Sequence, residues 1–169
     1  SKRLIFSDKD LNLYSVDLAT KTQTLIDRSS RNEIRRYSFS PDSRFVAYSK
    51  DLDNNITAIF LYSFDEDRIY QATEGLANDY SPVFDPDGKY LYFLSQRSFN
   101  PLLGNYEFQF VNTAITNLYL IILADDGESP FLPGSDEVEI KADGDKKDEK
   151  DTSDGEADIK PVRIDFTGI

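Results

Sequence analysis

The sequence contains no histidine, no cysteine, no methionine and no tryptophan. Without histidine or cysteine, neither a Ser-His nor a Cys-His catalytic pair can be assembled from this chain. Without cysteine there is no disulfide and no thiolate-bound metal. Methionine is missing even from position 1, where the chain starts Ser1-Lys2-Arg3, so a processed chain or one cut from something longer is expected. Positive charge is scarce as well: 19 Lys and Arg stand against 31 Asp and Glu, a formal net charge of -12. That balance argues against nucleic acid and against an anionic membrane, since both need a basic face. No apolar run reaches transmembrane length and no secretory signal opens the sequence.

What is abundant fits a pleated sheet. Ten Tyr and twelve Phe supply all the aromatic residues among 169, and 39% of the chain is hydrophobic, a globular composition rich in strand-forming side chains. The acidity is concentrated. Residues 135–158 hold eleven Asp/Glu and four Lys, which is -7 of the -12. A stretch so charged and so poor in apolar residues reads as a disordered, solvated loop over 134–158.

The chain repeats itself. FSPDSRFVAYS, from Phe39, returns 45 residues later as FDPDGKYLYFLS, from Phe84. A truncated copy, Arg3-Leu4-Ile5-Phe6, opens the sequence, and Leu13-Tyr14-Ser15-Val16-Asp17 recurs as Leu61-Tyr62-Ser63-Phe64-Asp65. The two Pro-Asp tetrapeptides suit type I turns: proline presets φ, aspartate bonds back to the backbone, and Gly88 tolerates positive φ. Tyr90-Leu91-Tyr92-Phe93-Leu94 is continuously apolar, as expected of a strand buried on both faces. Leu61 to Tyr70 reads as a hairpin with a polar tip. Four short strands in a tandem unit of 40 to 50 residues are the signature of β-propeller blades. The fold class expected is all-β: a partial β-propeller of four-stranded antiparallel blades, about two and a half of them plus one strand of the next. The boundaries are a partial blade over 1–29, full blades over 34–75 and 77–133, the acidic loop over 134–158, and a strand over 159–169 that resumes the propeller. In the second full blade the register from Leu61 to Leu118 is 57 residues instead of 45, an insertion of 12 within 96–113.

Candidate sites resolve into local chemistry. Asp42 and Asp87 could be paired carboxylates, but they occupy equivalent turns of different blades, so each is expected to close its own hairpin. Asp51-Leu52-Asp53-Asn54-Asn55 departs from a calcium loop, because Ile56 replaces the required glycine and no glutamate stands at the twelfth position. Asp143-Gly144-Asp145 fails at Lys147. Asn55-Ile56-Thr57 is a glycosylation sequon, a pattern common by chance. Phe99, Tyr106, Phe108 and Phe110 could form a peptide-binding lip; packing onto the blade or a neighbouring domain is the favoured reading, since four free aromatics make a large exposed patch. No catalytic, cofactor-binding or metal-binding residue is assigned, no cofactor is expected, and substrate-binding residues stay unassigned.

The blade with its insertion, NDYSPVFDPDGKYLYFLSQRSFNP over 78–101 followed by Gly104-Asn105-Tyr106-Glu107-Phe108, resembles the propeller repeats of the tricorn protease family. Ile164-Asp165-Phe166-Thr167-Gly168-Ile169 is similar to a segment that opens the next propeller section there. The resemblance covers about 34–131 and the last eleven residues. It implies a non-catalytic propeller section that serves as scaffold and peptide access or exit filter. Its partners would be peptides and the PDZ-like and catalytic domains of a parent serine peptidase, with a homo-oligomer left open. The acidic stretch departs from that pattern. A cytoplasmic location is expected, or a periplasmic or secreted one if the parent carries a signal peptide. The competing reading is a Tol-type protein-interaction propeller with no enzymatic role.

Overall fold

The computed structural model describes residues 2–106, 108–132 and 161–167. Every regular element among them is a strand. β1 (Arg3–Ser7), β2 (Asn12–Asp17) and β3 (Gln23–Arg28) form the first sheet, in the order β1-β2-β3. β4 (Tyr37–Phe39), β5 (Phe45–Asp51), β6 (Thr57–Ser63) and β7 (Arg68–Gln71) form the second, in sequence order. β8 (Asp79–Phe84), β9 (Tyr90–Ser95) and β12 (Asn117–Ile122) form the third. The insertion between β9 and β12 is a separate hairpin of β10 (Pro101–Leu103) and β11 (Phe110–Asn112). All pairings are antiparallel.

The Pro-Asp turns are built as expected, with one exchange of roles. Ser43 N–H bonds to Ser40 C=O at 2.9 Å and Gly88 N–H to Asp85 C=O at 3.0 Å. The fourth residue is left-handed in both turns, φ 60° at Ser43 and 68° at Gly88. In the first turn Asp42 Oδ1 accepts from Arg44 N–H at 3.1 Å, and Ser40 Oγ accepts from Phe45 N–H at 2.9 Å. In the second, Asp85 rather than Asp87 does this work. Asp85 Oδ1 accepts from Lys89 N–H (2.9 Å) and Tyr90 N–H (3.1 Å), while Asp87 lies exposed and gives only its main-chain N–H to Asp85. Position one of the turn faces the returning strand, and aspartate there reaches three amides where serine reaches one.

Period-two alternation in β5 sends successive side chains to opposite faces. Val46 and Tyr48 meet Ile5, Leu13 and Ile26 of the first sheet. Phe45 and Ala47, with Ile59 and Leu61, meet Phe84, Leu91 and Phe93 of the third. The core is therefore two seams, one on each face of the central sheet. β5 and β6 are buried on both faces because a blade lies on either side. β9 is not: Leu91, Phe93 and Ser95 are buried while Tyr90, Tyr92 and Leu94 are half-exposed. Its continuous apolar run reads as a two-sided strand, but only one of its sides is covered here.

Two further expectations change. Among the described residues the third blade has three strands, not four. Residues 161–167 join no ladder and cross instead to the seam between the second and third sheets. The acidic stretch expected to be a loop over 134–158 lies outside the described residues.

Candidate functional site

Antiparallel connections divide the loops between two ends of the arc. Segments 29–36, 51–57, 72–78 and 96–116 gather at one end, and the Pro-Asp turns gather at the other. At the first end the second and third sheets part to leave an open cleft of about 1050 Å³, with Ile56, Thr73, Phe93, Arg97, Phe99 and Tyr119 on its walls. Arg97 is held from below. Its Nη2 donates to Asp79 Oδ1 and Oδ2 at 3.1 and 2.9 Å, and its Nε donates to Ser95 Oγ at 2.8 Å. Asp79 is 1% exposed, so the pair keeps a buried carboxylate neutralised. The guanidinium lies 5.5 Å from the Phe93 ring centre and 4.9 Å from that of Tyr119, in cation–π contact with both. The cleft thus has an aromatic floor and a fixed, already paired cation. It offers shape and apolar surface.

The hairpin beside the cleft corrects part of the sequence reading. Phe99, Tyr106, Phe108 and Phe110 are 75%, 94%, 76% and 73% exposed, so they do not pack on their own blade. Phe108 sits at φ 53°, a costly conformation for an aromatic residue, at the bend that closes the hairpin with Gly104.

The acidic loop of the central sheet is wired as a linker. Asp51 accepts from Asn32 Nδ2 (2.5 Å) and Thr57 Oγ1 (2.7 Å), Arg31 donates to Asp53 C=O (2.7 Å), and Asn55 Oδ1 accepts from Arg31 Nη1 (2.5 Å). Asp143 and Asp145 lie outside the described residues. Among the described residues no group of three or more His, Cys, Asp or Glu could hold a metal ion.

Sequence reasoning missed a polar pin in the first seam. Asp27, on β3, accepts from Tyr48 Oη at 2.7 Å and from Lys50 Nζ at 2.6 Å, both on β5. The alternation that puts Tyr48 on the face of Val46 puts Lys50 there too, and that was the available signal; the partner on another blade was not. Burial, and next the Asp27 carboxylate, push the Tyr48 phenol far above its ordinary value of 10.0. Tyr62, on the same face, is pushed up to about 12 by burial and by its bond to Asp67. A raised phenol pKa means that the folded state holds its proton longer than the unfolded chain does. The stability it contributes is therefore complete below pH 10 and falls as pH rises above it. Thermal melts should be flat in this respect from pH 7 to 9 and drop above 10, and Tyr48→Phe should flatten that alkaline limb. An unchanged limb in Tyr48→Phe would show that other groups set it.

At the turn end, residues 161–167 run as an extended strip along the second seam. Val162, 4% exposed, donates its N–H to Asp42 Oδ2 at 2.7 Å. Its side chain rests against Gly88, where an added Cβ would come within 2.4 Å of Val162 Cγ2. Asp165 N–H bonds to Leu123 C=O at 2.8 Å. Phe166 stacks on Tyr70 with ring centres 3.6 Å apart and planes 12° apart, and it tilts against Phe45.

Repeated, radially stacked antiparallel sheets joined through apolar seams define an open section of a β-propeller. The model of the tricorn protease second beta propeller domain matches residues 1–169, and the chain belongs to that family. It is 32% identical over 135 residues to the tricorn protease of Thermoplasma volcanium, covering 76% of this chain and 13% of that protein. It is 36% identical over 108 residues to tricorn protease homolog 1 of Streptomyces coelicolor, covering 64% of this chain and 10% of that one. The crystal structure of the tricorn protease aligns with a TM-score of 0.72 at 30% identity, over 76% of this chain and 13% of that one. The chain thus spans between about a tenth and an eighth of the length of these relatives. A likeness to a putative TolB of Agrobacterium tumefaciens (TM-score 0.51, 16% identity, 72% of this chain and 42% of that one) shows the fold alone.

Proposed function

We propose that this chain is a non-catalytic propeller section of a tricorn-like serine endopeptidase, acting as scaffold and peptide access or exit filter for catalytic domains elsewhere in the parent. The full-length match to a propeller domain of a proteolytic family carries this reading. The apolar cleft and its aromatic hairpin give such a filter something to sort by: surface that favours extended, apolar peptide over folded protein. The parent's PDZ-like and catalytic domains are the proposed neighbours of the hairpin, and the cytoplasm is the proposed compartment, with the periplasm or the exterior if the parent carries a signal peptide, to be checked by fractionation.

Two outcomes are expected. The chain alone should turn over no fluorogenic peptide, because it has neither histidine nor cysteine to activate a nucleophile. Turnover that co-purifies with it through successive columns would refute this. In the parent enzyme, replacing residues 99–112 by a short Gly-Ser turn should change kcat/KM for long peptides several-fold and leave tri- and tetrapeptides within twofold. Equal effects on both lengths would remove the filter role.

A further inference from the structure

We propose that the seam between the second and third sheets, at the Pro-Asp turn end, is a binding groove for an extended apolar segment of the pattern Val-x-Ile-x-Phe. Residues 161–167 fill it in cis. Three observations support a groove with its own specificity, beyond ordinary core packing. First, the segment is extended and alternates: Val162, Ile164 and Phe166 enter the seam, while Arg163 points to Asp125 and Asp126 outside it. Alternating anchors on a main chain held by hydrogen bonds are the way sheets recognise extended peptides. Second, the groove belongs to the blades and is shaped on both sides. Asp42 supplies a carboxylate oxygen to the Val162 amide, and Gly88 leaves the space that Val162 occupies. The two sequence repeats, which carry Asp42 and Gly88 at adjacent turn positions, thus contribute one wall each. Third, the segment is joined to the blades only through 133–160, a connection of 28 residues with a strong acidic bias. Its place is therefore set by the groove and not by a short covalent tether.

The ligand class is a peptide with apolar residues at alternate positions and a free amide at the first of them. The pair Asp125 and Asp126 favours a basic residue at the second position, where Arg163 stands. Occupancy joins the central blade to the third through Asp42, Phe45 and Tyr70 on one side and Gly88 and Leu123 on the other. Release opens that seam from the turn end.

The test uses the whole 169-residue chain. The double variant Val162→Asp/Phe166→Asp vacates the groove. A fluorescent synthetic peptide of sequence Lys160 to Thr167 is then titrated into variant and wild type. Binding to the variant at least tenfold tighter than to the wild type, whose groove is filled, is the expected result. Binding to the variant should weaken at least tenfold again when Asp42→Ala is added and when the peptide carries alanine for Phe166. Binding to neither protein, or equally to both, overturns the proposal. If the double variant loses its β-sheet circular dichroism, Phe166→Ala takes its place. Hydrogen exchange then gives a second readout: amides of Val162, Asp165 and β12 should lose protection while those of β1–β3 keep theirs. Unchanged protection across 161–167 overturns it as well.

Discussion

Prepared as residues 1–169 alone, the chain should self-associate, and its melting temperature should depend on concentration. Among the described residues, each end of the arc presents a blade face with no blade on it. On the first sheet Leu4 and Leu25 are 48% and 52% exposed, and Phe6 and Tyr14 stack on the same side. On the third, Val83 and Leu118 are 53% and 66% exposed, in register with Tyr92 and Leu94. A patch of about 300 Å² on each face, at the lower end of the largest patches monomers expose, forgoes about 7 kcal/mol of burial at about 25 cal/mol per Å². Whole-domain stabilities are about 5–15 kcal/mol, so two such faces are enough to drive association. Open strand edges add backbone groups that seek partners. The net charge of -12 opposes this at low salt and less so at high salt. Sedimentation velocity at two salt concentrations should show larger species growing with protein and with salt, and Leu4→Lys/Leu118→Lys should return a monomer. A monomer with a concentration-independent melt in the unmodified chain would show that the blades are self-sufficient.

Asp27→Ala should be the most damaging single substitution in the first seam. The carboxylate and the Lys50 ammonium are 11% and 18% exposed, and Tyr48 is fully buried. Removing Asp27 leaves a nearly buried cation and a buried hydroxyl without their acceptor. Breaking a buried pair from one side costs about 3–5 kcal/mol. Asp27→Leu combined with Lys50→Met should cost much less than Asp27→Ala, because no charge is stranded. Urea denaturation reads both, provided the experiments are done at one protein concentration. A loss below about 1 kcal/mol for Asp27→Ala would mean that the pair is solvated and contributes as a surface bridge does.

The strands and turns were legible because their causes are local. Proline at Pro41 and Pro86, a hydrogen-bonding side chain at Ser40 and Asp85, and alternating apolar residues on either side specify a hairpin with little outside help. Family membership was legible for the same reason, through a repeat and its insertion. What escaped the sequence depends on neighbours. Tyr90 to Leu94 reads as doubly buried whether or not a further blade covers Tyr92. Asp27 gives no sign that its partners stand 21 and 23 residues away on another sheet. Arg97 and Asp79 are separated by a whole hairpin. The aromatics of the insertion were expected to find cover on the blade or a neighbouring domain, and among the described residues they stand largely exposed. The segment from Pro161 has the apolar pattern of a strand, yet Val162 and Phe166 find more contact across the seam than an edge ladder offers.

The bond from Val162 to Asp42 spans 120 residues of sequence. During synthesis the first seam can form as soon as β6 has left the ribosome. The second must wait, with Phe45 and Tyr70 short of their partner Phe166, until about a hundred more residues have been added. A contact that closes so long a loop carries a large entropic cost and forms late. The two faces of one sheet therefore mature at different times: the face toward the first sheet sets early, and the face that receives residues 161–167 sets later.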